Sequence, residues 1–182
     1  MIIPAGAEAR GTIALVGDSH LTDTSSAPVR KLGPLLRDAG WTVTTFAVGG
    51  LTTRAALAAP RPYGEFDWTV LSFGTNDAAP WKAVPLAEFT SNLELLLSTA
   101  TGRLVVLGPG PVSEAAAATG RTNDLLRAYS AAAASVAAAY GGAFVDLALL
   151  LDERHLRDDG VHLDQLGYDV LAQHLRALME PR

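Results

Sequence analysis

Short apolar runs of strand length alternate with segments of helical periodicity along almost the whole chain of 182 residues. The intervening segments repeat leucine or alanine every three or four residues, which is typical of helices that pack through one face. Strands that are joined in this way by helices run parallel to one another in one sheet. The alternation therefore predicts an α/β domain in which helices cover both faces of a parallel sheet.

The bounds of the predicted elements follow from these runs and from the glycines and prolines that end them. The strands are expected at Thr12–Val16, Thr42–Val48, Trp68–Phe73, Arg103–Leu107 and Ala143–Leu147. The helices are expected at Pro28–Ala39, Arg54–Ala59, Pro85–Ala100, Thr122–Tyr140 and Leu163–Met179. No linker or internal repeat interrupts the pattern, so residues 1–182 are expected to form a single domain.

Composition places the chain among globular proteins and narrows its partners. Apolar residues make up 49% of the sequence and charged residues 18%, which is enough for a packed core. The net charge of −5 and the lack of a basic run argue against nucleic acid or an anionic membrane as a partner. The absence of cysteine excludes a disulfide framework and a thiol nucleophile. The N-terminus has no signal-peptide pattern, so we expect a cytoplasmic protein unless a longer precursor is exported. No apolar run is long enough to span a bilayer, so we expect no stable membrane association.

Polar residues cluster in the segments that follow four of the predicted strands. These segments are Gly17-Asp18-Ser19-His20, Gly49-Gly50, Gly74-Thr75-Asn76-Asp77 and Asp159-Gly160-Val161-His162. The carboxyl ends of parallel strands meet at one edge of a sheet, where ligands bind in open α/β folds. We therefore expect residues that are far apart in the sequence to form one site at that edge.

The residue types in these segments are those that acyl transfer requires. Ser19 is a weak nucleophile until a base takes its proton, and His162 is a suitable base. Asp159 lies three residues before His162 and can orient the imidazole, which completes a Ser-His-Asp arrangement. The backbone N–H groups of Ser19 and Gly50 and the side-chain amide of Asn76 are candidate donors to an oxyanion.

Each of these residues also has a purely structural interpretation. Taken alone, Ser19 is more easily explained as the N-cap of a helix that follows the first strand. Asp18 and Asp77 are expected to hold turns by accepting backbone N–H groups rather than to react. Gly50 is also consistent with a simple strand end. The occurrence of the whole set of residues, each after its own strand, favours the catalytic interpretation.

The order of these segments resembles that of the SGNH hydrolases, also called GDSL-type esterases and lipases. This family has a Ser in Gly-Asp-Ser, a Gly after the second strand, an Asn in Gly-x-Asn-Asp and an Asp-x-x-His near the C-terminus. Ser19, Gly50, Asn76, Asp159 and His162 occupy those positions in that order, and the resemblance spans nearly the whole chain. It implies a flavodoxin-like three-layer α/β/α sandwich with strand order 2-1-3-4-5. It also implies hydrolysis of carboxylic esters through an acyl-serine, without a metal or other cofactor.

Two positions depart from the family pattern. His20 replaces the leucine that usually follows the serine, and Thr45 stands near the place of an asparagine that is common before the second-strand glycine. His20 adjoins Ser19 and could compete as the base, contact the substrate or point to solvent. Because adjacent residues rarely face each other productively, we expect it to form part of the pocket wall. Trp81, in the loop after the third strand, and Val161, within the last polar segment, complete the expected substrate-binding residues.

The expected substrate is a small-molecule carboxylic ester with a short acyl group, such as an acetyl ester of a sugar or metabolite, because no apolar lid is visible in the sequence. An acyltransferase that passes the acyl group to a sugar or alcohol is the alternative, and the sequence does not separate the two. A nucleotide-binding module on the same scaffold is disfavoured, because neither glycine-rich phosphate motif occurs. The four histidines lack the spacing of a metal site, and the sequence does not specify an oligomeric state.

Overall fold

A computed structural model describes residues 10–24, 28–59 and 64–180 of the chain. The strands in the described part are β1 Thr12–Gly17, β2 Thr42–Ala47, β3 Trp68–Ser72, β4 Arg103–Leu107 and β5 Ala143–Val145. They form one parallel sheet in the order β2-β1-β3-β4-β5. The predicted parallel direction and strand order are confirmed.

Helices cover both faces of this sheet. Their bounds are α1 Leu32–Asp38, α2 Thr53–Ala58, α3 Leu86–Leu97, α4 Glu114–Ala117, α5 Asn123–Ala139, α6 Leu147–Leu150 and α7 Gln165–Met179, with a 3₁₀ turn at Glu153–His155. Helix α1 packs against α7, whereas α3 packs against α2 and α5. None of the helices in the described ranges is long and apolar enough to cross a membrane. The predicted three-layer α/β/α sandwich is confirmed.

The side chains of β1 alternate between two apolar clusters. Ile13 and Leu15 are fully buried with residues of α1 and α7, whereas Ala14 and Val16 pack with residues of α3 and α5. A period of two residues with both faces buried is typical of a central strand in a parallel sheet. The end of β1 is therefore held from both faces, and the residues that follow it start from a fixed position at the carboxyl edge.

Most predicted elements agree with the structure to within three residues, but the first helix begins later than expected. It starts at Leu32 rather than at Pro28, because the preceding Lys31 has an extended backbone at the N-cap position. The Lys31 side chain is buried instead of lying on an exposed helical face. Contacts with distant parts of the chain therefore set this boundary.

Two short helices in the second half were not predicted. The fifth strand ends at Val145 rather than at Leu147, because the Asp146 side chain accepts the Ala148 N–H at 3.0 Å and caps α6. Helix α4 lies between β4 and α5, and the Ser113 hydroxyl caps its N-terminus. Both helices have four residues, which is too short for an apolar period to be visible in the sequence.

Candidate active site

The carboxyl end of β1 continues directly into the turn that carries Ser19. A Cβ atom at Gly17 would clash with the Ser72 carbonyl oxygen on β3, so only glycine allows the two strands to approach this closely here. The Asp18 N–H donates to the same carbonyl at 3.3 Å, and the Leu21 N–H donates to the Asp18 carbonyl at 3.1 Å. These bonds close a tight turn that presents Ser19 above the end of the sheet.

The structure brings Ser19, His162 and Asp159 together. The Ser19 Oγ lies 3.0 Å from Nε2 of His162, and Nδ1 of the same ring lies 3.0 Å from Oδ2 of Asp159. The other carboxylate oxygen of Asp159 accepts the backbone N–H groups of Val161 at 3.0 Å and of His162 at 2.8 Å. The carboxylate is thus fixed by its own loop, and the imidazole links it to the serine hydroxyl.

The ionisation of the two titratable groups suits general-base chemistry. Burial lowers the pKa of His162 below its ordinary value of 6.5, and the hydrogen bond to Asp159 opposes this effect. Burial acts to raise the pKa of Asp159, but the hydrogen bonds from His162 and Val161 outweigh it and the pKa is lowered. At neutral pH the imidazole is therefore uncharged and able to accept a proton, whereas Asp159 is a carboxylate.

The amide of Asn76 lies between the turn of Ser19 and the turn of Gly50. Its Nδ2 donates to Oδ2 of Asp18 at 3.1 Å and to the Leu51 carbonyl at 3.3 Å. Gly50 has a φ of +75°, in the left-handed region that favours glycine, and no atom would crowd a Cβ there. The backbone conformation, rather than a lack of space, therefore requires glycine at this position. The three predicted oxyanion residues occupy adjoining turns.

Asp77 fixes the loop that carries Asn76. Its carboxylate is fully buried and accepts Thr53 N–H at 2.8 Å, Thr53 Oγ1–H at 2.5 Å and Gly74 N–H at 3.2 Å. Burial raises the pKa of Asp77, and these bonds oppose the effect. The carboxylate joins the loop after β3 to the start of α2, which agrees with its interpretation as a residue that holds turns.

Sequence reasoning missed Lys31 and Tyr168, which contact the backbone of the turn that carries Ser19. The Lys31 Nζ donates to the Ser19 carbonyl and to the Tyr168 hydroxyl, both at 2.6 Å, and that hydroxyl donates to the His20 carbonyl at 3.1 Å. An unpaired buried ammonium would cost several kcal/mol, so these bonds are needed to hold it there. Burial lowers the pKa of Lys31 to about 8. Nothing in the local sequence around this lysine indicates its contacts.

His20 is buried in the structure and does not line an open pocket, whereas the sequence suggested that it forms part of a pocket wall. Its side chain is 1% exposed, and it contacts Asp18 and the carbonyl of Val161 instead of solvent. The turn after β1 directs this ring inward. The expectation of substrate contact is therefore corrected for His20, because a buried ring offers no surface to a ligand.

The other two expected substrate-binding residues remain at the surface to different degrees. Trp81 is 60% exposed, and the guanidinium of Arg121 lies 5.0 Å from the centre of its indole. Val161 is half-buried, and its carbonyl is turned toward His20. Trp81 thus presents an open aromatic face on the loop that follows β3 and Asn76.

The chain is similar to known proteins over most of its length. The sequence profile of the GDSL-like lipase/acylhydrolase family matches residues 15–170. A lipase/acylhydrolase structure from Enterococcus faecalis shares 23% identity at a TM-score of 0.75, with 94% of this chain and 98% of that chain covered. A carbohydrate acetylesterase family member from Sinorhizobium meliloti shares 17% identity at a TM-score of 0.74, with coverage of 92% and 96%. An acetylxylan esterase from Geobacillus stearothermophilus, solved as a catalytic mutant, shares 18% identity at a TM-score of 0.72, with coverage of 94% and 95%. No curated protein matches the chain.

Proposed function

We propose an acyl-serine mechanism and short-acyl substrates for this chain, which belongs to the GDSL-like lipase/acylhydrolase family and is a carboxylic ester hydrolase. The observation that carries the mechanism is the continuous line of contacts from Ser19 Oγ through His162 to Asp159. An acyl-serine mechanism needs a hydroxyl, a base that touches it and a group that orients the base. All three are within hydrogen-bond distance before any substrate binds.

The proposed reaction has two halves that use the same base. Ser19 Oγ attacks the ester carbonyl carbon while Nε2 of His162 accepts the hydroxyl proton. That proton passes to the alcohol oxygen as the C–O bond breaks, which leaves the acyl group on Ser19. A water molecule then attacks the acyl-serine, His162 takes its proton, and return of the proton to Ser19 releases the acid. Asp159 keeps the second imidazole proton on Nδ1 and stabilises the imidazolium.

The oxyanion of each tetrahedral intermediate is proposed to lie among the N–H groups of Ser19, Gly50 and Asn76. One N–H of the Asn76 amide stays on the Asp18 carboxylate at 3.1 Å and fixes the side chain. The other leaves its longer contact of 3.3 Å with the Leu51 carbonyl and turns toward the substrate. Each donor of this kind contributes about 3–4 kcal/mol to transition-state stabilisation, so the set supplies a large part of the rate enhancement.

The rate should depend on pH through His162. Only the unprotonated imidazole accepts the Ser19 proton, and burial lowers the pKa of His162 below 6.5. The value of kcat/KM for p-nitrophenyl acetate should therefore rise with pH, reach half of its plateau below pH 6.5 and stay near the plateau at neutral pH. Initial rates at low substrate concentration between pH 4.5 and 8.5 measure this midpoint. A midpoint above pH 7 would contradict the assigned base or its environment.

Small, polar esters are the proposed substrates. In the described part of the chain, short turns surround Ser19 and no apolar helix lies over it as a lid. The exposed indole of Trp81, supported by Arg121, offers a flat surface on which the C–H face of a sugar can pack. Two of the similar structures are a carbohydrate acetylesterase family member and an acetylxylan esterase, which supports acetyl groups on sugars.

A substrate panel tests this assignment. The value of kcat/KM should be highest for p-nitrophenyl acetate and should fall from butyrate to octanoate to palmitate. Trp81→Ala should raise KM for acetylated xylose by roughly 3–10-fold, the value of one aromatic packing contact. Tyr140→Ala is the matched control, because Tyr140 is also exposed but lies before β5, at the opposite edge of the sheet.

Two results of this panel would change the conclusion. An optimum at octanoate or palmitate would reject the short-acyl substrate. Transfer of most acetyl groups to an added sugar or alcohol, with little release of acetate, would identify the alternative acyltransferase reaction.

A further inference from the structure

His20 follows Ser19 in the sequence, and both nitrogens of its ring face oxygen atoms of other residues. The Nδ1 lies 3.2 Å from Oδ1 of Asp18, and the Nε2 lies 3.3 Å from the Val161 carbonyl oxygen. A carboxylate and a carbonyl can only accept hydrogen bonds, so each ring nitrogen forms a hydrogen bond with its partner only when it carries a proton. A neutral imidazole has one N–H, whereas the imidazolium has two. The contacts therefore match a doubly protonated ring, paired with the buried carboxylate of Asp18.

This ring connects the two segments that supply the triad. Asp18 is the residue before Ser19, and Val161 is the residue before His162. The contacts of the two ring nitrogens of His20 thus link Asp18 to Val161, which lie about 140 residues apart in the sequence. The contact of Ser19 with His162 links the same two segments directly. Because the ring is 1% exposed, solvent does not compete for either bond.

The same ring lies close to the proposed base. The ring centroids of His20 and His162 are 6.2 Å apart, and the two planes are tilted by 37°. A positive charge at this distance disfavours a second positive charge on His162. The charge of His20 contributes to the lowered pKa of His162, after burial and in opposition to the hydrogen bond from Asp159.

We propose that His20 is a positioning residue that, as an imidazolium, ties the Ser19 turn to the Asp159–His162 loop and keeps His162 unprotonated. The proposal rests on the proposed acyl-serine mechanism, in which His162 is the base. It assigns a role to the side chain that follows Ser19, and leucine is a suitable replacement to test it, since leucine offers neither a donor to Val161 nor a charge.

Other charged groups around the two rings act in known directions. Asp159 favours the protonated form of His162, and Lys31, next to α1, disfavours it. Asp18, in the same turn as His20, also lies within electrostatic reach of Lys31, Arg121 and Tyr168. Tyr168, on α7, donates to the His20 carbonyl and leaves the ring to Asp18 and Val161. None of these groups is altered when only His20 is replaced.

Two substitutions separate the effect of the hydrogen bond between His20 and the Val161 carbonyl from the effect of the charge on His20. His20→Gln can still donate to the Val161 carbonyl but carries no charge, whereas His20→Leu has neither property. The plateau kcat should fall about 5-fold in His20→Leu and recover in part in His20→Gln, since the loss of one neutral hydrogen bond, worth about 1 kcal/mol, corresponds to a factor of about five. The midpoint of the pH–rate profile should rise by roughly one pH unit in both variants. His174→Gln, an exposed histidine on α7, is the matched control and should change neither value.

A role in packing alone would predict a different outcome. It would lower the thermal stability of the His20→Leu variant but leave the midpoint of its pH–rate profile where it is in the wild type. An unchanged midpoint in folded His20→Gln would overturn the electrostatic part of the proposal. A plateau kcat equal to that of the wild type in both variants would show that the link between the Ser19 turn and the Asp159–His162 loop does not position the catalytic groups.

A measurement without substrate tests the protonation state independently of the mechanism. Nitrogen-15 NMR of the histidine rings at neutral pH, where the proposal requires His20 to be charged beside an unprotonated His162, should show two protonated nitrogens on His20, with His20→Gln for assignment. One unprotonated nitrogen would overturn the imidazolium. If the Ser19→Ala variant kept its activity while His20 were doubly protonated, the acyl-serine mechanism would be rejected and the protonation state proposed for His20 would stand.

Discussion

Ser19→Ala is expected to lower kcat for p-nitrophenyl acetate by at least about 10⁴-fold, the scale on which removal of a nucleophile acts in a Ser-His-Asp enzyme. In the proposed mechanism the Ser19 Oγ forms the bond to the acyl group, and no neighbouring hydroxyl in the described turn contacts His162 in its place. The fold should survive, because the Ser19 carbonyl, which accepts from Lys31, belongs to the backbone and is retained in alanine.

The control for this substitution is a serine with no contact to the site. Ser135→Ala on α5 removes an exposed hydroxyl that donates to the Ala131 carbonyl at 3.0 Å, and it should keep full activity. Mass spectrometry after treatment with a fluorophosphonate should show one adduct per wild-type chain and none on the Ser19→Ala variant. A folded Ser19→Ala enzyme within tenfold of the wild-type rate would overturn the mechanism. An adduct on a different residue would reassign the nucleophile.

The sequence predicts the architecture well because the strands are specified locally. Glycine directly follows four of the five predicted strands, and the parallel arrangement follows from the helices between the runs. The start of α1 could not be predicted in this way. The Arg30 N–H donates to Oε1 of Gln165 at 2.8 Å, and Lys31 reaches the Ser19 carbonyl, so distant contacts keep the chain extended as far as Lys31. A helical period before Leu32 carries no information about those partners.

The candidate site shows the same division between local and distant causes. Ser19 and Asn76 directly follow strand ends, and His162 lies in the segment between β5 and α7. A parallel sheet brings the carboxyl ends of its strands to one edge, so the proximity of these residues could be expected. The direction in which a side chain points within a turn could not be predicted from the sequence in this way. His20 points inward, where its ring nitrogens lie 3.2 Å from Oδ1 of Asp18 and 3.3 Å from the Val161 carbonyl oxygen, and Val161 is 141 residues away. Adjacency to Ser19 in the sequence therefore suggested a pocket wall where the fold has a buried ring.

Asp159→Asn should lower kcat by about 10⁴-fold with little change in the fold, because it reverses the tautomer of His162. In the native loop, Oδ1 of Asp159 accepts two backbone N–H groups, and Oδ2 faces Nδ1 of His162. An asparagine must keep its carbonyl oxygen on the two N–H groups, since its NH₂ cannot accept them. The NH₂ then faces Nδ1 and donates to it. The imidazole proton moves to Nε2, which points at Ser19 Oγ and can no longer take its proton.

The neighbouring carboxylate provides the control for this argument. Asp158→Asn removes one exposed negative charge next to the same loop and should leave kcat nearly unchanged, so any loss specific to Asp159→Asn comes from its contact with the imidazole. Steady-state kinetics with p-nitrophenyl acetate and thermal unfolding of both variants measure the difference. The loss should appear in kcat, with KM affected less, because the carboxylate touches His162 and not the substrate. Equal activity of the two variants would show that Asp159 does not orient the base.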